Sequence, residues 1–182
     1  MNWKENRPAL KFLGLFLGVY LIGNVLYGLF IEWNYPAADA ITNIVTHQSS
    51  WLINKWLGYE TMAMQSSKGP IVLILENSIT ILRMFEGCNG INVMIVFVAF
   101  IIAFGGVSKQ GALFMLGGVI AIHIANLFRI ALLFWVAKNH ETYFYYIHKY
   151  VFTAALYVIV LLLWWVWVAQ MKKVKISTGH AT

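Results

Sequence analysis

The chain has 182 residues, 60% of them hydrophobic and only 11% charged, with a formal net charge of +6 and a mean hydropathy of +0.71. A water-soluble domain is nearer about 45–50% apolar and about 25% charged, so this composition excludes an ordinary soluble fold. The basic residues form no long run and no aromatic-interleaved patch, which argues against a nucleic-acid partner.

Four windows that lack any Asp, Glu, Lys or Arg are long enough to matter: residues 12–31, 87–108, 110–128 and 150–171. The third continues past Arg129, giving a helix over 111–137. About 18 or more largely apolar residues can cross a bilayer. The sequence therefore predicts an all-α polytopic membrane protein, a single integral membrane domain with four transmembrane helices. The first window follows Lys4, Arg7 and Lys11 and resembles a signal peptide. Its apolar run of 20 residues exceeds the usual h-region of about 7–15, so it reads as a retained helix.

Short basic flanks set the orientation. Lys4, Arg7 and Lys11 precede the first span, Lys109 lies between the second and third, and Lys172, Lys173 and Lys175 follow the fourth. With four spans all three flanks share one side, the cytoplasmic one. Residues 32–86 and 138–149 then fall on the outer side.

The outer segment has internal pattern. Residues 36–58 carry Ile41, Ile44, Val45, Trp51, Leu52 and Trp56 at roughly helical spacing. This predicts an amphipathic helix along the membrane surface, with Trp51 and Trp56 as interfacial anchors. Thr61–Gln65 and residues 71–75 are short apolar stretches around Ser66-Ser67-Lys68-Gly69-Pro70, a hairpin pattern. Asn77 or Ser78 is placed to cap a further helical stretch through Phe85.

Cys88, the only cysteine, sits at the mouth of the second span in Glu86-Gly87-Cys88-Asn89-Gly90. It has no partner for a disulfide or a thiolate metal site, and no cofactor is expected. Gly87 and Gly90 let backbone or substrate come close. Arg129 lies within the third apolar run, where an arginine costs about 2.5–3.5 kcal/mol on insertion scales and usually faces a partner or a wet cavity. Asn126, one turn earlier, can bond to another helix, orient Arg129 or meet a substrate backbone. His148 falls in the outer loop before the fourth span. The topology brings Cys88, Arg129 and His148 together at the outer face, between the second, third and fourth spans.

Each residue also has a plainer use. A free cysteine often packs as a small hydrophobe, Arg129 can snorkel, and His148 can be interfacial. His123 reads as structural. Tyr143, Tyr145, Tyr146 and Tyr150 read as an aromatic belt. Gly105-Gly106 and Gly117-Gly118 serve packing among the chain's own helices or the approach of a substrate helix.

Read together, Glu-Gly-Cys-Asn-Gly at a helix mouth, Asn126-Leu127-Phe128-Arg129 in a later apolar run and His148 before the last span resemble the exosortase/archaeosortase family over residues 76–167. The short form is most similar to the exosortase F type of flavobacteria and relatives. Other members are often longer, with more N-terminal spans. The resemblance implies a membrane-embedded cysteine protease or transpeptidase of the bacterial inner membrane. It implies partners too: membrane-tethered proteins ending in a sorting motif, an apolar helix and a basic tail. Carried over by position, Cys88, Arg129 and His148 are its catalytic residues.

Two other classes stay open: a small transporter subunit using Arg129 for an anionic solute, and a non-catalytic membrane assembly factor. No Walker loop, His-Glu-x-x-His or Gly-x-Ser-x-Gly pattern occurs, so ATPase, zinc-protease and serine-hydrolase readings have no support.

Overall fold

The structure, a computed structural model, describes residues 3–105 and 108–179, with side chains over 6–105 and 108–171. Gly106 and the side chains of Lys4, Lys172, Lys173 and Lys175 lie outside the described residues. Helix α1 (Trp3–Asn34) is followed by α2 (Ala40–Leu52), which runs on through a π-helical turn at Ile53–Leu57. Strands β1 (Thr61–Gln65), β2 (Val72–Glu76) and β3 (Ile79–Met84) come next, then a 3-10 turn at Glu86–Cys88 and α3 (Ile91–Gly105). Helices α4 (Lys109–Asn139), α5 (Glu141–Tyr146) and α6 (Phe152–Gly179) complete the chain, with a π-helical stretch at Ile147–Val151 joining the last two.

Among the described residues, three helices are long and apolar enough to cross a membrane: Asn6–Asn34, Lys109–Asn139 and Glu141–Met171. The chain reads as a membrane protein on that basis. The second expected span differs from the expectation. Its helix covers only the 15 residues of Ile91–Gly105, about 22 Å against an apolar core of about 30 Å. Backbone chemistry delays its start. Gly90 takes a left-handed φ of 86°, and the Asn89 side chain accepts from the Ile91 N–H at 3.0 Å. Residues 87–90 therefore form the entry to the helix.

Helix α2 begins where Asp39 accepts from the backbone N–H groups of Ile41 and Thr42, at 3.0 and 2.9 Å, an N-cap arrangement. The expected hairpin is present as β1 and β2, paired antiparallel from Thr61↔Glu76 to Gln65↔Val72. The expected helix over 77–85 is instead β3, antiparallel to β2 from Glu76↔Ile79 to Val72↔Met84. Asn77 and Ser78 take positive φ values of 48° and 66°. That is the two-residue turn that matches strand twist, and it favours a hairpin over a helix cap. Ile79, Thr80 and Ile81 are β-branched and fit a pleated surface. The register shifts between Ile74 and Leu75, a bulge that leaves Ile81 as the extra residue. The chain is thus predominantly helical with a three-stranded sheet, rather than all-α.

The second loop differs as well. Residues 138–149 were expected as loop, but α4 continues to Asn139 and α5 starts at Glu141. Only His140 breaks the helical run, its N–H donating to Val136 O at 2.8 Å. No Gly or Pro lies between 138 and 151 to stop the helix earlier.

Two apolar clusters result. One joins Val45 and Ile53 to the inner face of the sheet (Val72, Ile74, Leu82, Met84) and to Ile130, Leu133 and Phe134 of α4; Cys88 belongs to it. The other joins Met94, Phe97 and Ile101 of α3 to Ile122, Val160 and Trp167. Small residues permit the second. A Cβ on Gly105 would lie 2.7 Å from the Trp167 ring, and one on Gly118 would collide with Phe97. Both glycines therefore serve internal packing, while Gly117 faces open space.

Candidate active site

Cys88 sits where the sheet hands over to α3. After β3 the chain passes through extended Phe85 into the 3-10 turn, and the Cys88 N–H donates to Phe85 O at 2.8 Å. The side chain is 5% exposed. The turn is held from two sides by asparagines.

Asn89 holds it to the first two helices. Its Nδ2 donates to the Tyr27 hydroxyl and to Thr42 Oγ1, the latter at 2.9 Å. The Thr42 hydroxyl in turn donates to the Asp39 carboxylate. Asp39, Thr42 and Asn89 are all buried, so this chain of bonds satisfies groups that would otherwise be costly to enclose. Sequence reading missed this network. Its signals were Asp39 ahead of an apolar-periodic run, which marks an N-cap, and an amide adjacent to the cysteine.

Asn126 holds the turn to α4. Its Nδ2 donates to Cys88 O at 3.0 Å, and its Oδ1 accepts from Arg129 Nη1 at 3.2 Å. Asn126 has no exposed surface. Gly90 makes the approach possible, since a Cβ there would lie 3.3 Å from the Asn126 amide. Of the sequence-predicted substrate contacts, Asn126 and Gly90 therefore pack against each other. Arg129 is partly buried, and its Nε has no hydrogen-bond partner among the described residues.

His148 lies in the π-helical stretch, not in a loop. Such wide turns recur at functional sites. Its ring stacks on Phe144, centroids 5.7 Å apart and planes within 2°. Cys88 and His148 line one groove of about 330 Å³, together with residues 80–85, Leu133 and Phe144. Arg129 lies outside that lining. The structure thus brings Cys88 and His148 into one groove and ties Arg129 to the Cys88 turn through Asn126.

Burial pushes the Cys88 thiol above its ordinary pKa. The Phe85 backbone bond and the Arg129 charge pull the other way, and nearby Glu86 adds to the rise. The thiol form therefore prevails at neutral pH, and a base must take its proton before it can attack. Among the described residues no group of three or more His, Cys, Asp or Glu side chains is placed to hold a metal ion.

His123, expected as structural, bonds through Nε2 to Gln48 Oε1 at 2.9 Å. Trp56, expected as an interfacial anchor, packs edge-on against Phe128 at 5.2 Å and is half exposed, and Trp51 is more exposed still.

No protein-family model, curated protein or solved structure matches the chain.

Proposed function

We propose that this chain is a membrane-embedded cysteine peptidase or transpeptidase of the exosortase kind. It cuts the C-terminal sorting signals of membrane-tethered exported proteins. The observation that carries the reading is the shared groove of Cys88 and His148, with Cys88 tied through Asn126 to Arg129. In this reading α3 is a fourth, short span. Both termini are then cytoplasmic, and residues 32–86 form a cap on the outer face of a bacterial inner membrane.

The chemistry follows from the groups present. His148 takes the Cys88 proton, and Sγ attacks the scissile carbonyl carbon. Arg129 stays protonated and balances the negative charge that develops on the carbonyl oxygen. The C–N bond breaks, the proton passes from His148 to the leaving amine, and the substrate's N-terminal part remains as a thioester on Cys88. Water or an acceptor amine then takes the acyl group, giving hydrolysis or transpeptidation. Asn126 acts in this scheme as a positioning residue.

The test is processing of a host protein that ends in an apolar helix and a basic cluster, beside Cys88→Ala, Arg129→Ala and His148→Ala. Each variant is expected to accumulate the unprocessed protein. Unchanged processing with Cys88→Ala overturns the nucleophile assignment. The burial of Cys88 favours one other reading, a non-catalytic factor that binds tailed proteins without cutting them. That reading predicts normal maturation in the Cys88→Ala strain.

A further inference from the structure

The sheet order is β1-β2-β3, so β1 and β3 are its two edges. The β1 edge is occupied at its start, where Asn54 accepts from the Thr61 N–H at 2.8 Å and donates to Thr61 O at 2.9 Å. The β3 edge is open. Among the described residues no backbone group of 79–84 bonds on the side away from β2.

An unpaired edge is a template for another strand, and proteins usually blunt one with proline, several charges or a cover. β3 has no proline and a single charge, Arg83. Along this edge runs the groove that holds Cys88 and His148. Residues 80–85 form one wall, and Leu133 and Phe144 supply apolar surface opposite. Six strand residues extend about 20 Å, enough to guide several residues of an extended chain. The strand leads directly into Phe85 and the turn that carries Cys88.

We infer that the polypeptide substrate binds by adding a strand to the free edge of β3. The inference rests on the peptidase reading and specifies how that site takes its substrate. The segment just outside the substrate's apolar helix pairs main chain to main chain with β3, and this register delivers the scissile carbonyl to Cys88. In such pairing only alternate substrate residues turn their N–H groups toward the enzyme. Recognition therefore depends on backbone more than on side chains, apart from those facing Leu133, Phe144 and Arg83.

The test uses full-length Cys88→Ala protein in lipid nanodiscs, so that binding is measured without turnover. The probes are short synthetic peptides copying the segment before the apolar helix of a tailed host protein. Two further sets carry N-methyl groups on odd or on even residues. Strand addition predicts that one set binds about tenfold weaker or worse, from the loss of several hydrogen bonds, while the other stays within about threefold. Equal weakening of both sets, or no binding by the unmodified peptide, overturns the inference. The two readings fail separately. Cleavage with no odd–even asymmetry removes strand addition alone, whereas asymmetry with no Cys88-dependent cleavage removes the peptidase reading alone.

Discussion

The two apolar clusters of this molecule differ in what they enclose. Around the sheet, α2 and the C-terminal half of α4, the buried residues include Asp39, Thr42, Thr46, Ser49, Ser50, Thr61, Asn89 and Asn126. The cluster between α3, α4 and α6 is built from Met94, Phe97, Ile101, Ile122, Val160 and Trp167. Its buried polar atoms include the indole N–H groups of Trp164 and Trp167, which have no partner among the described residues. Burying polar groups costs free energy unless each is paired. In the first cluster Asp39, Thr42, Asn89 and Asn126 are paired with one another or with the Cys88 turn, which ties that part of its polarity to the site. The second holds helices together by shape.

That contrast can be broken by substitution. Phe97→Ala removes a fully buried ring that packs on Gly118 and tilts against Phe114 at 6.1 Å. It is expected to cost about 3–5 kcal/mol, read as a fall in unfolding temperature in detergent, while processing per folded molecule is unchanged. Asn126→Leu keeps the branched side-chain shape but leaves Cys88 O unpaired and Arg129 without its anchor. A smaller loss of about 1–3 kcal/mol is expected, this time with processing abolished. Reversal of these two patterns would remove the distinction between the clusters.

Gly90→Ala places a side chain at φ 86° and against Asn126. It should cost about 1–2 kcal/mol from backbone strain and slow processing, since it bears on the Cys88–Asn126 bond. Lys138→Ala breaks the ion pair with Glu76 and the contact with the Tyr59 ring at 4.1 Å. With Lys138 one-third exposed, the loss should be at most about 1 kcal/mol, measured by thermal unfolding.

The smallest effect concerns charge. Cys88 should alkylate with a pH midpoint above the ordinary thiol range, because burial raises its pKa. Arg129→Met removes a charge that favours the thiolate, so the midpoint should move further up. A downward move, followed by the rate of iodoacetamide labelling, would contradict a favourable action of the Arg129 charge on the thiolate.

Much of this was legible in the sequence, for identifiable reasons. Long apolar runs marked α1, α4 and α6, and the short apolar stretches on either side of Ser66–Pro70 marked β1 and β2. The lone cysteine and the intramembrane arginine stood out because their context makes them expensive or unusual. β3 was misread because Asn77-Ser78 serves equally as a helix cap or a tight turn, and only the pairing with β2 decides. The late start of α3 was hidden because Gly87 to Gly90 are uncharged and continue the apolar window. The helical placement of His148 was hidden because a break of one residue at His140 leaves no Gly or Pro behind. The Asp39–Thr42–Asn89–Tyr27 network joins residues up to 62 positions apart, a closeness that local pattern does not encode.

The central claim is that Cys88 accepts an acyl group, and trapping that adduct tests it most directly. The full-length protein is incubated with a tailed host protein, quenched at low pH and analysed by mass spectrometry. The account predicts a hydroxylamine-sensitive adduct on Cys88, carrying the substrate's N-terminal part and absent from Cys88→Ala. Processing that proceeds at the same rate in Cys88→Ala, with no adduct on the unaltered protein, would contradict it.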